Sequence, residues 1–332
     1  MTLLNKEILA LAADVAQGQV QNYSAKDGSE VIRQAMRERF GADTLTHQAY
    51  REHKNELFAF IEETITPIVN DKTKEVFGQF AEFKNIALGD KQKFHVSDRE
   101  LFPVNTISLG NGNVTRHRLD ADDFEIEMGV ISVGTYEELI LFMAGRTDWP
   151  TFIQRAADSI VNDIYKRIAE AFSASIKGLT GVYKAAVASS SGLDVVREKA
   201  LGVADHVEAA NGAAMLVGTK AALRKLKPEF YSDAEAGTRN SQGYFGIVDG
   251  YQVFQLPQFH KNNSDEFALS DDQILVLPAF EKLVKVALGE TFVREANGSE
   301  GYRQDFQMQH DVITQVGVSV ITASKFGVVE LS

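Results

Sequence analysis

The stretch TISLGNGNVTRHRLDADDFEIE, residues 106–127, gathers the residue types best suited to chemistry: two glycines around an asparagine, a basic segment, then an acidic run. A glycine-rich turn such as LGNGNVT could cradle a phosphate on backbone N–H groups, and DADDFEIE could hold a divalent cation. Neither motif closes. A dinucleotide fingerprint would need its third glycine where Thr115 stands, with a helix following, yet the residues that follow alternate like a strand. A calcium loop begun at Asp120 would put its turn glycine on Glu125 and its bidentate glutamate on Ile131. What remains is a turn, a basic segment and an acidic segment. Asp122, Asp123, Glu125 and Glu127 form an acidic strand edge suited to pairing with Arg116 and Arg118, or with Lys91 and Lys93. Between chains, such pairs fix register and partner choice more than affinity. A merely solvated face is the competing reading.

The rest of the chain offers no better centre. It has no G-x-x-x-x-G-K-S/T, no G-x-S-x-G, no H-E-x-x-H and no cysteine. Thiol catalysis, disulfides and zinc–thiolate sites are therefore excluded. Ser189 to Ser191 sit in a small-residue connector, and the neighbours Glu62 and Glu63, like Glu137 and Glu138, suit a helix surface. No catalytic residue, cofactor or metal is expected.

The elements that would position such residues follow from composition and periodicity. The 332 residues are 44% hydrophobic and 24% charged, an ordinary globular balance, and 34 basic against 46 acidic residues leave a net charge of −12. That charge repels a polyanion and favours solubility. No run approaches the roughly 18 apolar residues of a membrane span, so no membrane partner is expected.

Residues 1–75 read as helices. The first ends near Gly18, the second runs from Ser29 to Phe40, and a third follows Thr46 and frays near Pro67. Isolated helices of this kind are marginal, so they must pack on this chain or on a neighbouring copy. Residues 80–134 turn to strand-like alternation in KFHV, NTISL, VTRHRL and FEIEMGVISV. The segment is polar and thin in core residues, which fits a long hairpin excursion that needs partners. Then comes a long helix from Pro150 to Lys177, with Asp148 placed to cap it, about 42 Å at 1.5 Å per residue. Ile153, Ala157, Ile160, Ile164, Ile168, Phe172 and Ile176 stripe one face. After the connector AVASSSG, residues 186–192, come a helix ending at Asn211-Gly212, the strand AAMLVG, a short helix capped by Thr219 and a polar loop. A hairpin turning at Asp249-Gly250 and further strands complete the chain.

This order of elements resembles the major capsid protein of tailed bacteriophages, the Hong Kong-97-type fold. LFMAGRTDWPTFIQRAADSIVNDIYKRIAEAF looks like its spine helix with lead-in. AAMLVGTKAALRKL with GYFGIVDGYQVFQLPQF looks like its axial-domain core, and MQHDVITQVGVSVITASKFGVVEL like its closing strands. The resemblance implies an α+β fold with a helical N-terminal arm (1–75) and an extended β-hairpin loop with its base (76–134). A peripheral domain with the spine helix (135–189), an axial domain (190–275) and the peripheral domain's return strands (276–332) follow. It implies a homo-oligomer of hexamers and pentamers that forms an icosahedral shell around double-stranded DNA without sequence-specific binding. Scaffolding, portal and decoration proteins are further implied partners, with assembly in the host cytoplasm and a final place in the virion capsid. The excursion and the N-terminal arm would reach across neighbouring subunits, so Lys91, Lys93, Arg116, Arg118, Asp122, Asp123 and Glu125 are the candidate inter-subunit contacts. An encapsulin-type compartment shell, which shares the fold, is the alternative, and a soluble α+β enzyme a more distant one.

Overall fold

A computed structural model describes residues 6–18, 25–40, 47–78, 81–87, 90, 93–97, 121–136, 141, 143–146, 148–188, 192–261, 264–295, 309–320 and 324–331. Three helices lead: α1 (Lys6–Gln17), α2 (Ala25–Phe40) and α3 (His47–Phe77). Strands β1 (Ala81–Ile86), β2 (Lys93–Ser97), β3 (Ala121–Glu125) and β4 (Gly129–Tyr136) follow, then helix α4 (Trp149–Lys177). Next come β5 (Lys184–Val187), α5 (Leu193–Asn211), β6 (Ala214–Thr219), α6 (Lys220–Leu223), α7 (Asp233–Gln242), β7 (Ile247–Val248) and β8 (Tyr251–Leu256). The chain closes with β9 (Gln273–Pro278), β10 (Val284–Glu295), β11 (Gln309–Val320) and β12 (Gly327–Leu331).

Helix α4 is the axis on which the rest packs. Its stripe from Ile153 to Ile176 is buried throughout, as the 3.6-residue period requires. Helices α1 and α3 pack along it, as does a four-stranded sheet ordered β1-β10-β11-β4. The second sheet has six strands, ordered β5-β12-β9-β6-β8-β7. Every residue of β6 is buried because it separates two cores: Met215 and Val217 face the α4 core, Ala214 and Leu216 the core under α5. Helix α5 covers that second core with Val196, Ala200, Val203, Ala204 and Val207.

The N-terminal helices find their partner in this chain. Ala12, Val15, Ile32, Met36, Leu57 and Ile61 join the α4 core. Helices α1 and α2 approach closely at Gly28, where a Cβ would lie 2.4 Å from Val15 Cγ2.

Several elements differ from the sequence reading for physical reasons. Helix α3 does not fray at Pro67 but continues to Phe77. Pro67 lies on the exposed side, while Ile65, Ile68 and Val69 are fully buried beside it, and that burial outweighs one lost backbone bond. Asp148 occupies the N-cap position of α4, but its side chain makes no capping hydrogen bond. The start of AVASSSG belongs to β5, which pairs in parallel with β12. FEIEMGVISV divides into β3 and β4 around residues 126–128. The polar loop after α6 contains α7, held by a capping box between Ser232 and Glu235. Strand β12 lies in the six-stranded sheet, whereas β10 and β11 lie in the four-stranded one, so the closing segment is shared between the two. The Asp249-Gly250 turn forms as the sequence indicates, with φ of 46° and 95° between β7 and β8.

Candidate functional site

Among the described residues, strands β2 and β3 pair only with each other, as an antiparallel ribbon. The register sets Lys93 opposite Glu125, Phe94 opposite Phe124 and His95 opposite Asp123. Alternation then sorts the side chains by face. Lys93 Nζ reaches Glu125 Oε1 at 3.8 Å, and His95 Nδ1 lies 3.0 Å from Asp123 Oδ1, all four side chains well exposed. On the opposite face, Phe94 is 1% exposed while Phe124 remains 45% exposed.

Phe94 anchors the ribbon. It joins Ile86 of β1, Ala287 of β10 and Ile126 in a small separate core, with Met128 packed beside it. Lys84 Nζ lies 4.3 Å from the centre of its ring and Lys285 Nζ 6.0 Å, so two ammonium groups approach one aromatic ring. Lys285 is almost wholly buried and donates to Glu82, which Lys84 also approaches at 3.5 Å. Burial opposes the Glu82 carboxylate. The hydrogen bond and charge of Lys285, with Lys84 behind it, nonetheless hold its pKa below the usual carboxylate value.

The descent from ribbon to sheet needs a close backbone crossing. A Cβ on Gly317 of β11 would lie 2.6 Å from Ile126 Cγ2 and 2.9 Å from the Glu127 carbonyl oxygen. Glycine there lets residues 126–128 pass over the sheet.

Of the sequence candidates, the structure thus joins Lys93 with Glu125 and gives Asp123 to His95. Asp122 is placed opposite Val96 on the ribbon. Lys91, Arg116 and Arg118 lie outside the described residues, as do NTISL and VTRHRL. Sequence reasoning missed Phe94, Glu82 and Lys285. The signal for Phe94 was its lone large apolar side chain between Lys93 and His95; nothing local marked the other two, which meet across β1 and β10.

The site can dock and orient the ribbon, and its chemistry is that of ion pairs and a cation-bearing ring. Among the described residues no group of three or more His, Asp or Glu side chains could hold a metal ion, and no helix is long and apolar enough to cross a membrane.

Comparison with known proteins agrees with this architecture. The capsid of cyanophage P-SCSP1u superposes with a TM-score of 0.51 at 10% identity, covering 77% of this chain and 88% of that one. A chain of Gordonia phage Cozz gives 0.51 at 12% identity, covering 77% of this chain and 86% of that one. These likenesses establish the fold. No curated protein matches the sequence. The family model described as "SPbeta prophage-derived putative capsid protein YonB" matches residues 7–330, nearly the whole length. The chain belongs to this YonB family of prophage capsid proteins and is a structural protein, not an enzyme.

Proposed function

We propose that this capsid protein assembles into hexamers and pentamers that tile an icosahedral shell around double-stranded DNA. The observation that carries the reading is the β2–β3 ribbon, fixed to its own chain at Phe94 while Lys93, His95 and residues 123–125 are exposed. A two-stranded ribbon is at best marginal alone, so further contacts must come from a neighbour. In this reading it lies across the adjacent subunit. Lys91, Lys93, Arg116, Arg118, Asp122, Asp123 and Glu125 supply the charged contacts. The four-stranded sheet with α4 forms the peripheral domain, and the six-stranded sheet with α5 the axial domain. The net charge of −12 suits a wall to which packaged DNA should not adhere. Scaffolding, portal and decoration proteins act as partners, and assembly takes place in the host cytoplasm.

Expression of the full chain followed by negative-stain electron microscopy tests this. Capsomers, tubes or closed shells are expected. A monomer that persists over a wide range of concentration and salt, even beside a scaffold protein, sinks the reading.

A further inference from the structure

Helix α5 buries one face and leaves the other open at the floor of a trough of about 680 Å³. Val182 and Lys184 form one wall, Glu229 and Asp249 the other. Gly202 sits on the exposed face at mid-helix, and a Cβ there would meet nothing within 4 Å. Glycine costs a helix interior about 1 kcal/mol relative to alanine, and no contact within the described chain requires it. The space above Gly202 is open to another backbone or ring. At 100° per residue, Lys199 and His206 flank Gly202 on one side, and Glu198 and Asp205 on the other. Asp205 is engaged by the Tyr251 hydroxyl at 2.7 Å, whereas Lys199 has no ion pair among the described residues.

The same chain carries a matching projection. Phe230 is 84% exposed, the most exposed large apolar side chain described. It precedes α7, whose first turn carries the exposed Asp233 and Glu235. The projection is stiff without being buried: the capping box fixes one end of α7, Gly243 in the left-handed region fixes the other, and Tyr231 packs on Phe245 at 5.4 Å. A ring followed by acids thus meets a glycine notch beside bases.

We propose that the trough receives a second copy of this chain: Phe230 of one subunit seats over Gly202 of the next, with Asp233 and Glu235 against Lys199 and His206. The contact is assigned as head-to-tail, the arrangement that builds a ring where the rotation between subunits closes. The inference rests on the shell reading above and assigns it a specific contact.

The chain has no cysteine, so a double variant carrying Lys199→Cys and Asp233→Cys, which leaves the Phe230 ring and the Gly202 notch in place, gives a clean cross-linking test. On oxidation of assembled material, a covalent ladder from dimer up to the closed ring is expected, and neither single variant should give one. Gly202→Leu is the second test. It removes a helix-breaking residue, so the free subunit should melt at the same or a higher temperature, while assembly is lost. Particles that form without a ladder, a ladder that stops at dimers, or Gly202→Leu particles indistinguishable from wild type would each overturn the contact. If the wild-type chain forms no particles at all, the shell reading fails and this contact falls with it.

Discussion

Lys84 Nζ stands 4.3 Å from the centre of the Phe94 ring, and Phe94 is the side chain through which the β2–β3 ribbon is attached to the body. Phe94 therefore couples the orientation of the ribbon to the sheet beneath it. Phe94→Ala should cost about 3–5 kcal/mol at this local core, and Phe94→Leu only about 1–2, mainly the lost attraction of the two cations. Limited proteolysis within 88–128, with denaturant unfolding of the whole chain, would separate detachment of the ribbon from global loss. Equal resistance of Phe94→Ala and wild type to the protease would contradict the anchor.

Acid should loosen the same attachment. The Glu82 pKa is lowered in the folded chain, chiefly by Lys285 against the opposing effect of burial. A depressed folded-state pKa means that the pairing stabilises the fold above the ordinary carboxylate pKa and is lost as pH falls through the lowered value. The protection factors of the β2 amides, exchange rates corrected for the intrinsic pH effect, should therefore be high at pH 7 and fall as the pH drops through the lowered Glu82 value. Glu82→Gln should remove most of that difference, and an unchanged profile in this variant would rule Glu82 out as the cause.

Pro67 costs α3 one backbone hydrogen bond, since it has no N–H to offer the Glu63 carbonyl. Pro67→Ala should stabilise the chain by about 1–2 kcal/mol, the helix gain being partly offset by a freer unfolded chain. Urea unfolding would show a higher midpoint with an unchanged slope. A lower midpoint would mean that the proline relieves a strain elsewhere.

Ribbon length should matter for assembly and not for folding. Ser97 faces Ala121 across the ribbon, so residues 98–120 can be replaced by an Asn-Gly turn without disturbing β2 or β3. Circular dichroism should show a wild-type melting curve, and electron microscopy no particles. Loss of the cooperative melt would show that the excised segment is needed for the subunit's own core.

Much of the fold was legible because burial and period coincide. The Ile153–Ile176 stripe, the apolar run that opens the fully buried β6 and the Asp249-Gly250 turn each write their environment into the local sequence. Pro67 misled because a local rule met a tertiary one: the apolar residues around it are held by α4 and the four-stranded sheet, which no window of sequence contains. Helix α7 was hidden by its polarity, although Ser232 and Glu235 spelled its capping box. The candidate site was half legible. Charges opposite one another on a ribbon, such as Lys93 and Glu125, follow from alternation once the strands are known. The Glu82–Lys285 pair spans two hundred residues, and only a parallel strand pairing brings its members together.

Strand β12 makes one edge of the six-stranded sheet depend on residues 327–331. It lies between β5 and β9, and β5 has no other strand neighbour among the described residues. Until residues 327–331 have left the ribosome, β5 has no ladder to join, and the core under α5 lacks Val329 and Leu331. The wall of the trough that contains Lys184 and Ala185 therefore stays incomplete until β12 has paired with β5.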